Sequence, residues 1–307
     1  RRITLDEHRQ KLYDPRVNSE MPSLKDMGFS EDPSCLDGYF PGESGAKKTI
    51  ANFKDTISSY NLNRNYPALN QTSRISVHLR FGTISVRTLY RLAIKIKSPG
   101  SEAWLNELIW RDFYFNIVYH FPHVTKNAFK KQYDNLIFPN CSVLFKAWCQ
   151  GRTGFPIVDA GMRQLNETGY MHNRLRMITA SFLVKDLHVD WRWGERYFAE
   201  KLIDYDLSAN NGGWQWAAST GCDSQPYFRI FNPVLQSKRF DKDGVYIKKF
   251  VPELKHVASK YIHAPWLMSS EDQGYSDCKI GYDYPSPVVN HDEARRKALS
   301  MYKSAKI

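Results

Sequence analysis

The apolar positions of this chain recur at helical rather than strand spacing. In "EAWLNELIWRDFYFNIVYHF" (102–121) they form a long run that Pro122 ends, which predicts a helix. "NRLRMITASFLVKDLHVDW" (173–191) sets Leu175, Ile178, Phe182 and Leu183 on one stripe and leaves Arg174, Lys185 and Asp186 off it, predicting a second helix. "PIVDAGMRQLNETG" predicts a third, with Pro156 in its first turn and Gly169 as its stop. No alternating strand pattern persists, and no internal repeat or low-complexity tract is visible. The pattern therefore predicts one all-α domain over residues 46–307. Residues 1–45 are rich in Pro, Gly, Ser and charge with little periodicity, and read as an extended connector from a preceding domain absent from this sequence.

Composition narrows the picture. A chain of 307 residues buries a substantial core without needing a disulfide or a metal. The five cysteines (Cys35, Cys141, Cys149, Cys222, Cys278) are widely spaced with no C-x-x-C pair, so they are expected reduced and mostly buried. No apolar run approaches the ~18 to 20 residues of a membrane span, and the N-terminus lacks a secretory core. A soluble, intracellular protein is expected, and the sequons at Asn70, Asn140 and Asn166 are then chance matches. The net charge of +11, with 8 Trp and 18 Tyr, suggests a nucleic-acid partner, because a basic surface attracts polyanions and aromatic faces stack on bases.

The familiar phosphate-loop, dinucleotide, zinc-protease and nucleophile-elbow motifs are missing. His120 and His123 lack acidic or thiolate partners, so no metal is expected. Four segments remain. "QTSRISVHLRFG" (71–82) opens a helix with Thr72, Ser73 and Ser76, either a phosphate site or a plain N-cap. In "ELIWRDFY", Glu107, Trp110, Arg111 and Tyr114 share one helical face, lining a cavity or forming a half-buried indole beside a salt bridge. In "MHNRLRM", Asn173, Arg176 and Met177 share a face with Arg174 beside it, suited to a base edge and a phosphate or to an ordinary helix surface. The loop "LIDYDLSANNGGWQWAAS" (202–219) joins Asp204, Asp206 and Asn210 to Trp214 and Trp216. Those carboxylates and amides need partners if buried, and a large flat heterocycle rich in donors and acceptors would satisfy them.

"TGFPIVDAGMRQL" (153–165) and "NRLRMITASFLVKDLHVDWR" (173–192), followed by "ANNGGWQWAASTG", strongly resemble the FAD-binding helical domain of DNA photolyases and cryptochromes. They look most like the class I photolyases that repair cyclobutane pyrimidine dimers, and the similarity runs from about residue 46 to "EARRKAL". The resemblance implies that the 202–219 loop lines the isoalloxazine of FAD. Asp204 and Asp206 would bond the ring and ribityl region, Arg176 would pair with Asp204, and Asn210 would face flavin N5. Tyr60, Thr72, Ser73, Arg74, Ile75 and Ser76 would hold the ribityl-diphosphate arm, with Trp104, Arg111 and Asn173 also at the cofactor. Glu107, Trp110, Asn173, Arg174, Met177 and Trp216 would line the pocket for a flipped-out lesion. Arg64, Arg111, Arg174 and Gln236 would contact DNA, with Arg229, Lys238 and Arg239 nearby. The implied reaction is light-driven electron transfer from fully reduced FAD to the dimer, with Glu107 steadying its charge and Asn210, Trp214 and Trp191 serving the flavin's redox chemistry.

Three departures from the family pattern stand out. Phe138 occupies the place of the outermost of three relay tryptophans, with Trp148 as the spacing marker, so the usual photoreduction route is interrupted unless Trp193 or Tyr205 substitutes. Tyr170 replaces a common Trp and keeps an aromatic wall. The N-terminal α/β domain is missing, so FAD is expected without an antenna pigment, in a chain expected to be a monomer. A cryptochrome-type light receptor is the main alternative. Asn173, where related receptors carry His, counts against it, as does the short tail "SMYKSAKI". A DNA-binding module without catalysis is a second alternative, opposed by Glu107 and Asn210.

Overall fold

The computed structural model describes residue 23, residues 25–28 and residues 39–305. Most of the connector expected over residues 1–45 lies outside them. The chain divides into two compact units, residues 1–37 and residues 38–307. In the first unit, Ser23 and residues 25–28 form a turn in which the Ser23 hydroxyl donates to Asp26 (2.6 Å). Among the described residues of the second unit there is no strand, only an isolated bridge between Ile280 and Tyr284, and the domain is all-α as expected. No helix among them is long and apolar enough to cross a membrane, and no group of three His, Cys, Asp or Glu could hold a metal.

Helices α1 (Gly42–Lys54), α2 (Tyr60–Asn63), α3 (Ser76–Arg80), α4 (Val86–Ile96) and α5 (Pro99–His120) form the first part. Phe53, Ile57, Leu89 and Trp104 make its core. The helix expected from Glu102 starts three residues earlier. Pro99 sits at its first position, and the Ser98 and Ser101 side chains each bond the other's backbone N–H, a capping box that apolar periodicity alone does not register.

The larger core is built by α6 (Ser142–Cys149), α7 (Pro156–Thr168), α8 (Asn173–Lys185), α9 (Trp191–Lys201) and α10 (Leu207–Ala217). Helix α7 has Pro156 at its first position and stops at Gly169, whose φ of 63° is the left-handed C-cap a glycine accepts without strain. The single helix expected over 173–191 is two. Helix α8 ends at Asp186, His188 turns left-handed (φ 52°), and the Asp190 side chain accepts from the Arg192 N–H to start α9. The segment read as a loop over 202–219 is largely helix α10, begun by Asp206, whose Oδ1 accepts from the Ala209 N–H (3.0 Å).

Leu175, Ile178, Phe182 and Leu183 are buried as the stripe requires, but Lys185 and Asp186 are buried too. Beyond α11 (Pro233–Phe240), α12 (Val245–Phe250) and α13 (Ser270–Tyr275), the terminal helix α14 (His291–Ser304) returns to cover them. Lys185 Nζ donates to Ser219 Oγ (3.0 Å) and lies 3.5 Å over the Tyr302 ring, and burial holds its pKa well below the usual lysine range. Asp186 Oδ1 meets His291 Nδ1 at 2.5 Å, and burial raises its carboxyl pKa to about 6 against the pull of that histidine. A contact made 105 residues away in sequence is invisible to local periodicity.

Candidate functional site

A cavity of about 510 Å³ lies at the seam between the two cores. Tyr60, Ile75, Trp104 and Leu108 reach it from the first, and Met171, Ala180, Phe198, Leu202 and Trp214 from the second. One wall is the 72–76 segment. Arg74 sits there in the left-handed region (φ 49°), unusual for a non-glycine residue, with its guanidinium 5.1 Å over Tyr170 and its buried Nε without a partner. The hydroxyls of this segment do not cap α3, whose N-cap Ile75 makes no side-chain bond, so the plain N-cap alternative falls. Ser73 Oγ instead accepts from Trp104 Nε1 (3.2 Å), and Thr72 Oγ1 reaches the Tyr170 hydroxyl (3.5 Å).

The α8 and α10 sides carry charge. Arg176 Nη2 donates to both Asp204 oxygens (3.1 and 2.9 Å), and its Nε donates to the Met171 carbonyl (2.8 Å). Burial works against the guanidinium charge, but Asp204 more than offsets it and raises the Arg176 pKa. Asn210 Nδ2 donates to the Glu195 carbonyl (3.0 Å) and to its Oε1 (2.9 Å), which fixes the amide and commits Nδ2 to the protein side. Burial raises the Glu195 carboxyl pKa, with the Asn210 bond acting the other way.

Two adjacent glycines on α10 play opposite parts. A Cβ on Gly212 would lie 2.2 Å from the Tyr114 ring, so glycine lets α5 and α10 touch. A Cβ on Gly213 would meet nothing within 4 Å and would project into the cavity.

The outer part of the cavity joins Arg64 and Glu107, which are ion-paired, to Trp110, Arg111, Asn173, Arg174, Met177 and Trp216. Arg174 Nη2 donates to Asn65 Oδ1 (2.7 Å), its guanidinium lies 4.4 Å over Phe240, and Arg239 approaches the same ring at 5.2 Å.

His172 holds the entry to α8, its Nδ1 accepting from the Arg174 N–H (3.1 Å). Burial, with Arg176 and Arg174 adding to it, lowers its pKa to about 4. The unfolded chain, near 6.5, then binds a proton that the folded chain refuses between pH 6.5 and about 4. The stability this gives is complete above 6.5 and is lost as pH falls through that window, by about 3 kcal/mol. His172→Asn keeps a cap and removes the titration, so urea unfolding at pH 7 and pH 4.5 should show a shallower acid loss in the variant than in the parent. Parallel losses would contradict it.

The cofactor- and lesion-pocket residues expected from sequence all line this one cavity, whereas Trp191, Gln236 and the basic candidates Arg229, Lys238 and Arg239 do not. Trp191 is buried in the larger core away from it, and Gln236 lies outside it with Oε1 buried and unpartnered. Trp148 is fully buried with its ring 6.0 Å from Trp214, while Phe138 packs at the edge of the larger core. Leu79, Arg80, Ala209, Gly213 and Asp223 also line the cavity and were missed. Ala209 and Gly213, small residues four apart, carried a signal; Asp223 on a loop had none.

The family model described as the FAD-binding domain of DNA photolyase matches residues 104–304. The chain belongs to the DNA photolyase family. The chain is 51% identical over 265 residues to the deoxyribodipyrimidine photo-lyase of Alkalihalophilus pseudofirmus, covering 85% of the chain and 55% of that protein. It is 46% identical to that of Escherichia coli, covering 87% and 57%. The chain thus spans about half the length of the curated relatives it matches. Among solved structures, a bacterial class III photolyase from Agrobacterium tumefaciens superposes with a TM-score of 0.90 at 38% identity, covering 95% of this chain and 63% of that one. A Synechocystis cryptochrome superposes at 0.85 with 32% identity, covering 94% and 62%.

The cavity of this photolyase domain fits a flavin dinucleotide on its own terms. Gly213 leaves space against a helix where a side chain would fill it, Asp204 and Asp206 offer acceptors, and Arg74 Nε and Trp214 Nε1 are buried donors with no protein partner.

Proposed function

We propose that this chain binds FAD in the seam cavity and uses light to split cyclobutane pyrimidine dimers in DNA, the lesion entering flipped out at the mouth formed by Glu107, Trp110 and Trp216. The observation that carries the reading is the continuity of one cavity from the carboxylates and fixed amide at 204–210 to the ring of Glu107, Trp110, Asn173, Arg174, Met177 and Trp216. Bound FAD, as its fully reduced anion, supplies light absorption and reversible one-electron chemistry.

The protein's own residues then have definite tasks. Asp204, held by Arg176, offers a fixed acceptor at the ring site, and Asn210 turns its Oδ1 away from Glu195. The 72–76 hydroxyls and Arg74 hold the diphosphate arm. Trp110 and Trp216 exclude water and offer flat faces to the extruded bases, whose unstacking costs a few kcal/mol and costs less for a damaged pair. Glu107, already oriented by Arg64, offers a carboxylate acceptor to the N–H edges of the extruded bases, while the Arg64 guanidinium supplies the positive charge that meets the negative charge developing on the dimer. Arg64, Arg174 and the basic side chains beside Phe240 meet the DNA backbone.

The test is anaerobic near-UV and blue illumination of the chemically reduced protein with a thymine-dimer oligonucleotide, followed by absorbance near 260 nm against a dark control. Light-dependent recovery supports repair. No recovery with FAD and lesion both bound would favour the light-receptor alternative. Glu107→Ala should lower repair by about 10-fold or more, the worth of a hydrogen bond to a charged group, with flavin content unchanged. Unaltered repair would remove Glu107 from the mechanism.

A further inference from the structure

Asp223 lines the cavity from a loop that none of the site's sequence motifs includes. Its Oδ2 accepts from the Tyr114 hydroxyl (2.9 Å), tying α5 to that loop across 109 residues. The Tyr114 ring is caught on its other side by Gly212, where even a methyl group would collide with it. Held at both ends, Tyr114 stacks on Trp110, with centroids 6.0 Å apart and planes at 29°. Trp110 is 45% exposed at the mouth and, apart from its neighbour Phe113, Tyr114 is the aromatic side chain that backs it.

We infer that Asp223 is a positioning residue: through Tyr114 it presets the plane of Trp110, and so governs how well the mouth discriminates an extruded dimer from ordinary DNA. The inference rests on the functional reading above. An indole free to rotate must be ordered when the lesion arrives, whereas one already braced has lost that freedom in the free protein. Burial raises the Tyr114 hydroxyl pKa above its ordinary value, with Asp223 adding to it, so the phenol keeps its proton and the bond persists across the working pH range. Discrimination is the property affected, because contacts to the DNA backbone lie elsewhere and are indifferent to the Trp110 plane.

The test measures, in the dark and with FAD-loaded full chain, the affinity for a thymine-dimer duplex and for its undamaged counterpart, together with flavin content and melting temperature. Tyr114→Phe and Asp223→Ala should each cut the dimer-to-undamaged affinity ratio by about 5- to 10-fold with flavin content kept, the effect of one hydrogen bond. Asp223→Asn, which loses the charge and keeps an acceptor, should hold the parental ratio to within about 2-fold. An unchanged ratio in Tyr114→Phe and Asp223→Ala overturns the inference. So does a fall in Asp223→Asn as deep as in Asp223→Ala, which would assign the effect to charge, and so does a fall that merely tracks lost flavin. A parental chain with no preference for the dimer removes the functional reading itself, a result distinct from a discriminating parent whose variants discriminate equally.

Discussion

Replacing Gly213 with leucine is expected to give a chain that folds at least as well as the parent and binds flavin far more weakly. The position lies inside α10, where glycine costs roughly 0.5–1 kcal/mol relative to a residue with a side chain. Open space surrounds the missing Cβ, so the first added carbon meets no neighbour in the free protein. That space belongs to the cavity, and four added carbons there would collide with anything seated against Ala209, Asn210 and Trp214. Overpacking costs about 1–3 kcal/mol even where neighbours yield, which is roughly 5- to 150-fold in affinity, and a ligand that cannot yield falls toward the upper end. Flavin absorbance of the purified variant and titration with free FAD provide the check, with thermal melting of the flavin-free forms as control. A yellow variant with parental affinity would show that the flavin does not lie along this face of α10.

Asp204→Ala is expected to damage both fold and flavin binding. The Asp204 side chain is 2% exposed and takes both of its contacts from Arg176, whose own side chain is 26% exposed toward the cavity. Removing one member of a buried pair leaves the other charge uncompensated, about 3–5 kcal/mol in a closed interior. The partial exposure of Arg176 and its remaining bond to the Met171 carbonyl put this case near the lower end, about 3 kcal/mol. The double variant Asp204→Ala, Arg176→Met should recover part of the stability, since no charge is then stranded, but none of the flavin affinity. Urea unfolding of the parent, both single variants and the double variant measures the coupling. A cost below about 1 kcal/mol for Asp204→Ala would mean that the pair is effectively solvated.

The helical class, α7 with its proline start and glycine stop, and the Glu107–Trp110–Arg111–Tyr114 face were legible because each depends on residues a few positions apart. The 72–76 segment was half legible. Its hydroxyls stand out in the sequence, but their orientation depends on Arg74 adopting a left-handed backbone and on Trp104 claiming Ser73, neither of which local spacing encodes. Lys185 and Asp186, which the stripe leaves off its apolar face, are buried for the same kind of reason, since α14 covers them from the other end of the chain. Asp223 lies beyond local reading, and the small-residue spacing of Ala209 and Gly213 hints at a close approach without saying what fills it. Asp223 reaches the cavity by loop geometry, and Gly213 matters through space it leaves open.

The position of the cavity at the seam also bears on how the chain comes apart. Helices α1 to α5 and helices α6 to α10 each have their own buried cluster, and they meet through α5 against α10, through a few polar contacts such as Arg174 with Asn65 and Thr72 with Tyr170, and through whatever fills the space between. A ligand at 100 times its dissociation constant adds about 2.7 kcal/mol to the folded state, and here it adds it to the joint rather than to either half. Tightly bound flavin should therefore make the two halves exchange their amide hydrogens as one cooperative unit, while loosely bound flavin should let residues 42–108 open first. Cofactor affinity in this chain is thus also a measure of its cooperativity.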